Sequence, residues 1–233
     1  MDRITREKLK HDRFAEEVSH SVAFFGEHHR QFTIYGSIAA VVVVVGAGIY
    51  YYNSSQHSQR QAELKEAIRV QDASVGPGSS EFIKSFPTQT EKDKAALKVF
   101  ADLANKYPTK DEGFIGKYYL GIINADQGKF QEAAKHFQSV ISDGGKEYAA
   151  LARLSLAQIY ESQGKIGEAE RLLRHVVDNP TTLVSKEQAT ISLAKVLAKT
   201  KPDEARKLLE PLRTERSAVS RAAIQAISDL PRK

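Results

Sequence analysis

Histidines, Gly-Lys pairs and adjacent acids are the residues of this 233-residue chain whose types and spacing could support chemistry. A phosphate-cradling loop needs a glycine, four further residues, then Gly-Lys followed by Ser or Thr, so that backbone N–H groups surround the phosphate. Gly-Lys occurs at Gly116, Gly128, Gly145 and Gly164, yet no Ser or Thr follows the lysine and no glycine stands five residues earlier. His28-His29 is the only adjacent histidine pair. Neighbours on a helix do not face one another, so a solvated pair is expected there rather than a metal site. His136 and His175 lie away from clustered carboxylates and are expected at the surface. Glu16-Glu17 and Asp111-Glu112 read as solvated charge, the second pair also suiting the first turn of a helix. No His-Glu-x-x-His, Gly-x-Ser-x-Gly or Gly-x-Gly-x-x-Gly occurs, and zero cysteine removes disulfides, thiolate sites and cysteine-linked lipid. The expectation is a protein that is not an enzyme, with no catalytic, cofactor or metal residues. Surface recognition is the chemistry that remains.

Two kinds of element must position that surface. The first is a run without charge from Gln31 to Asn53, almost wholly apolar over residues 32–52. About 20 helical residues at 1.5 Å each cross the ~30 Å hydrocarbon core of a bilayer. Phe32 and Tyr35 at one end and Tyr50, Tyr51 and Tyr52 at the other fit the aromatic belts of the two interfaces. A buried core segment and a cleaved signal are the alternatives; a signal's apolar core is shorter and follows a short charged region. The run therefore reads as a retained signal anchor. Residues 1–31 carry six Lys/Arg and residues 53–72 carry three, which by the positive-inside rule places the N-terminus in the cytoplasm and the large domain outside. Counted only over the nearest 15–20 residues the difference vanishes, so a cytoplasm-facing domain stays open. The tail itself reads as a helix, with Ile4, Leu9, Phe14, Val18, Val22 and Phe25 on one face.

The second element is a repeat. Ala96, Ala133, Ala169 and Ala205 are spaced by 37, 36 and 36 residues. Four residues after each comes Phe100, Phe137, Leu173 or Leu209, and three further on Leu103, Val140, Val176 or Leu212. Upstream, Leu120-Gly121, Leu156-Ala157 and Leu193-Ala194 recur at the same period, and Gly128 and Gly164 follow the first two in Gln-Gly-Lys turns. Each unit reads as two helices. The first brings a large and a small residue to its packing face, a glycine in the left-handed region ends it, and the second buries Ala and Phe or Leu one turn apart. Pro108 and Pro180 stop the second helix. Residues 57–73 read as the first helix of the earliest unit, 74–90 as a loop, and 217–230 as a capping helix. The fold class is all-α: a membrane helix at 32–52 after a tail at 1–31, then a helical solenoid over 53–233 of three to four pairs, clearest at 91–214.

These residues resemble the tetratricopeptide (TPR) family, whose repeat runs large-x2-Leu-Gly-x2-Tyr, Ala-x3-Phe, Pro. Residues 114–145 carry Leu120-Gly121, Gly128, Ala133 and Phe137; residues 150–180 carry Leu156-Ala157, Tyr160, Gly164, Ala169, Leu173 and Pro180. The period is 36 rather than the family's 34, and the third unit has Lys199-Thr-Lys-Pro-Asp203 where a turn glycine is expected. With one N-terminal span and no cysteine, the architecture resembles the membrane-anchored TPR family typified by the ancillary subunit of the SecYEG translocon (YfgM-like). That resemblance implies a bacterial inner-membrane protein with periplasmic repeats that assists exported proteins as a chaperone-type partner. Its partners would be translocon subunits, secretion factors or exported polypeptides. It also implies a concave groove lined by first helices. Counted from Phe114 and Ala150, the groove residues are Tyr118, Ile122 and Asp126, then Leu154, Gln158 and Glu161, with Lys195 and Lys199 in the third unit. Tyr118 is the expected exposed anchor, while Leu154 and Ile122 could instead complete the core. Nucleic acid is not an expected partner. Six of the 34 basic and six of the 29 acidic residues fall in the tail, and the other 28 and 23 intersperse over residues 53–233.

Overall fold

The computed structural model describes residues 3–76, 85–214 and 218–231, with backbone alone for 3–29, 31, 32 and 218. The chain falls into two compact units, Met1–Gln59 and Arg60–Lys233. Helix α1 (Arg3–Gln71) begins in the first and ends in the second. Within it, Thr33–Gln71 is long and apolar enough by composition to cross a membrane, with a hydropathy of 1.9 over its best window and none of that window buried. The apolar run is thus not part of a core in this structure. Val41 to Val45 and Tyr50 to Tyr52 are all exposed. The side chains of Phe32, of His28-His29 and of the apolar stripe predicted for the tail lie outside the described residues.

The second unit is a stack of helix pairs. After α1 come α2 (Gln89–Lys106), α3 (Asp111–Asp126), α4 (Phe130–Asp143), α5 (Lys146–Ser162), α6 (Ile166–Asp178), α7 (Lys186–Leu197), α8 (Pro202–Arg213) and α9 (Ala218–Ser228). Local chemistry sets these limits. Thr88 Oγ1 accepts the Glu91 N–H at the start of α2, and Ser185 Oγ accepts the Gln188 N–H at the start of α7. Gly128 and Gly164 both have φ +74°. The N–H groups that follow bond back to the ends of α3 and α5, Lys129 to Asn124 and Lys165 to Tyr160, each at 2.8 Å. This pairing satisfies carbonyls that the helix leaves orphaned and needs a left-handed residue. Where that glycine is missing, after α7, the Lys201 N–H bonds the Leu197 carbonyl at 2.7 Å and Pro202 opens α8. No non-glycine residue among those described has a positive φ, so the third turn is made without one.

The repeat ladder in the sequence is a burial ladder in space. Ala96, Ala133, Ala169 and Ala205 are no more than 1% exposed, and the eight large residues one and two turns on are all buried. A Cβ on Gly121 would lie 2.6 Å from Cε1 of Phe137, so α3 and α4 cross where only a hydrogen fits. On another side of α3, a Cβ on Gly116 would come 2.9 Å from the Phe100 carbonyl oxygen of α2. The last turns of α1 close the first pair, with Leu64, Ala67 and Val70 buried against Phe100 and Leu103. The span predicted as a loop, 74–90, is pinned at its ends. Strands β1 (Ser74–Val75) and β2 (Ser85–Phe86) pair in parallel, Ser74 opposite Ser85, and the Gly76 N–H donates to the Phe86 carbonyl at 2.9 Å. Residues 77–84 lie outside the described residues.

Candidate functional site

First helices touch first helices in this stack, α3 with α5 and α5 with α7, while second helices contact mainly the first helices on either side. The first helices therefore line the inner face. On α3 the inner stripe runs Asp111, Ile115, Tyr118, Ile122, at spacings of four, three and four that return to one side of a helix. On α5 the corresponding stripe passes through Tyr148, Leu151, Ser155 and Gln158.

Toward the N-terminal ends of these helices the inner face deepens into a cleft of about 530 Å³. Leu64 from α1, Phe114 and Ile115 from α3, Tyr148 from α5 and Leu183 form its apolar surface. Leu183 is 45% exposed. Asp111 and Glu147 supply carboxylates, and no Lys, Arg or His lines the cleft. The Leu183 N–H donates to Glu147 Oε2 at 3.1 Å, fixing the loop between α6 and α7 against the start of α5. The same short segment closes on itself: the Thr181 N–H donates to the Val184 carbonyl and the Val184 N–H to Thr181 Oγ1, with the Val184 side chain wholly buried.

Glu112 corrects the expectation of solvated charge at Asp111-Glu112. It is 3% exposed, its Oε1 accepts from Gln61 Nε2 at 2.7 Å, and its Oε2 lies 3.4 Å from Arg60 Nε. A buried carboxylate is tolerable only with such partners. Both come from the last turns of α1, so this cluster fixes the edge of the cleft.

The eight residues expected in the groove are placed as follows. Asp126, Gln158, Glu161, Lys195 and Lys199 are exposed. Tyr118 is half-buried rather than an exposed anchor: its ring lies 5.6 Å from those of Tyr119 and Tyr148 and 5.9 Å from that of Phe137. Burial pushes its hydroxyl pKa up, against the opposing effect of a hydrogen bond with Ser155. Tyr119 and Tyr148 are shifted upward by burial too, and Tyr119 stacks on Phe100 at 4.6 Å. Leu154 is buried in the core with Leu173, and Ile122 packs half-buried on the Phe137 cluster, so both follow the core alternative. None of the eight lines the 530 Å³ cleft. Of the lining residues missed, Asp111, Phe114, Ile115, Glu147 and Tyr148 sit one to two turns earlier on α3 and α5, and Leu183 lies in the loop between α6 and α7. Extending the Tyr118-Ile122 stripe backward by two helical turns finds Ile115 and then Asp111; Leu183 has no such signal. His136 is half-buried rather than at the surface. Burial, and then the nearby Lys117, pull its pKa down. Among the described residues no three His, Asp or Glu converge as a metal site.

A family profile described as a tetratricopeptide repeat-like domain matches residues 23–179 and again 142–224. The chain belongs to this family. The first TPR-like match begins upstream of the apolar run and so includes it. No curated protein and no solved structure matches the chain. TPR-like repeat domains are typically protein-interaction modules.

Proposed function

We propose that the chain is a membrane-tethered protein-binding module, acting in secretion or envelope assembly at the bacterial inner membrane. In this reading residues 32–52 cross the membrane once, the N-terminal tail is cytoplasmic, and the repeats stand in the periplasm. There they hold exported polypeptides, secretion factors or translocon subunits. The observation that carries the binding role is the inner cleft, with Leu64, Phe114, Ile115, Tyr148 and Leu183 beside Asp111 and Glu147. It suits an extended segment in which aliphatic or aromatic side chains alternate with lysine or arginine. The fully exposed apolar window of α1 supports the tether. Anchoring raises the effective concentration of the cleft for anything emerging at the same membrane, with no added contact.

Photo-crosslinking from positions 115 and 183 in intact cells tests this function. Recovery of translocon subunits, secretion factors or exported chains supports it, and recovery of cytosolic proteins alone overturns it. Protease added to spheroplasts tests topology separately: digestion of residues 53–233 is the expected result. Protection would favour the second reading, a cytoplasm-facing scaffold for a signalling or division complex. Arg60, Lys65 and Arg69 directly after the apolar run are the observation on its side.

A further inference from the structure

The face of α5 opposite the groove carries a different chemistry. Lys146, Ala149, Ala150 and Arg153 follow one another at helical spacing on that side. They form one wall of a second cleft of about 450 Å³, closed by the last turns of α4 and α6. His175 from α6 completes a set of three cation-forming side chains, and among the described residues no carboxylate lines the space. Three carboxylates are adjacent in sequence to its walls: Asp143 and Asp178 are exposed and take no part in the lining, and Glu147 lines the inner cleft, where it accepts the Leu183 N–H. The two alanines between Lys146 and Arg153 leave the interval empty, over a floor that includes the buried Ala150 and Val176.

Arg153 is the informative group. It is half-buried, and among the described residues it makes no hydrogen bond or ion pair. Burial is the sole influence on its guanidinium and pulls the pKa down. A guanidinium presents five donors in a fixed fork, and one that has lost part of its hydration without gaining an acceptor is unfavourable. Arg174, also in the second unit, shows the ordinary solution: it pairs with Glu170 at 2.7 Å and Glu204 at 2.5 Å. Arg153 faces a cleft instead of a carboxylate. Thr181 also lines the cleft, and because its oxygen accepts from Val184 its hydroxyl proton is free to be donated inward.

We infer that this outer cleft binds a phosphate oxyanion, held by the Arg153 fork with Lys146, His175 and the Thr181 hydroxyl around it. Two permanent cations carry more charge than a single carboxylate can balance. A phosphate supplies more than one unit of charge and three strong acceptor oxygens. The phosphate can come from an anionic lipid headgroup or from solution. The inference does not depend on what occupies the inner groove.

Calorimetry on the full chain in an uncharged maltoside detergent and phosphate-free buffer tests it. The probes are inorganic phosphate and water-soluble dihexanoyl phosphatidic acid, whose headgroup is a phosphomonoester, with acetate at matched ionic strength as the comparison. Saturable phosphate binding is expected, weakened about tenfold or more by Arg153→Gln and several-fold by Lys146→Gln, with Arg153→Lys between wild type and Arg153→Gln. Lys146 is exposed, so its variant tests the site even if replacing Arg153 disturbs folding, which circular dichroism would reveal. Tighter binding of the lipid than of phosphate identifies a headgroup as the source; equal or weaker binding identifies free phosphate. The inference is overturned by the absence of saturable binding, by acetate binding equally well, or by wild-type affinity in both glutamine variants.

Discussion

Lys146 and Glu147 are adjacent in the chain and belong to opposite clefts. Lys146 faces a space lined by three cation-forming side chains and no acid; Glu147 faces one with two acids and no basic residue. A first helix of a two-layer stack is exposed along two narrow strips, and neighbouring residues, about 100° apart, can fall on different ones. Interspersed charge over residues 53–233 therefore does not mean a neutral surface. At α5 it is sorted by the helical period between an acidic, apolar cleft and a basic one. A count of charges cannot see that sorting, whereas a helical period laid over the count can.

The harshest way to break the comparison is to remove the stack on which both faces depend. Phe137→Ala should cost about 3–5 kcal/mol in denaturant unfolding, because Phe137 is fully buried against Gly121. A loss below about 1 kcal/mol would mean that the repeat face has been misassigned. Gly121→Val should cost about 1–3 kcal/mol by overpacking, with the Phe137 ring displaced, measured by the thermal midpoint. Glu112→Ala sharpens the comparison by touching one side only. About 2 kcal/mol is expected from stranding Arg60 and Gln61, with crosslinking from the inner cleft reduced and phosphate titration of the outer cleft unchanged. Gly164→Ala should lose about 1 kcal/mol from its left-handed turn, seen as a small fall in thermal midpoint; an unchanged midpoint would mean that the turn relaxes freely.

The mildest effect is a pH dependence. The folded pKa of His136 is depressed, so in acid the unfolded chain takes up the proton first and stability falls. Its contribution is fully present above the unfolded value of 6.5 and is lost as the pH falls toward the depressed folded value. Glu170, held down by Lys201 and then Arg174, adds a second loss below 4.5. Unfolding of wild type against His136→Gln between pH 7 and 5 isolates the first of these, and parallel curves would refute it.

The repeats were legible because each constrained position answers to a single demand. The alanine ladder marks close helix crossings, the Phe or Leu four residues later fills the space beside them, and Gly128 and Gly164 supply a backbone conformation that other residues resist. All of these recur at one period, so coincidence is easy to recognise. What stayed hidden depends on meetings between distant residues. Glu112 resembles any first-turn acid until Arg60, some fifty residues upstream, is placed beside it. Tyr118 resembles an exposed anchor until Tyr148 arrives from the next repeat. The inner cleft was not anticipated because its wall at Leu183 comes from a loop that carries no periodic mark. The turn after α7 lacked its glycine signal because proline at the first position of α8 provides another way to start a helix.

The short segment between α6 and α7 has one further consequence. Thr181 lines the outer cleft and Leu183 the inner one, while Val184 is sunk in the core and hydrogen-bonded back to Thr181. One loop thus supplies a wall to each of two clefts, so a substitution that moves it is expected to disturb both. Any coupling of affinities through it would be reciprocal, the factor imposed from the Thr181 side equalling that returned from the Leu183 side.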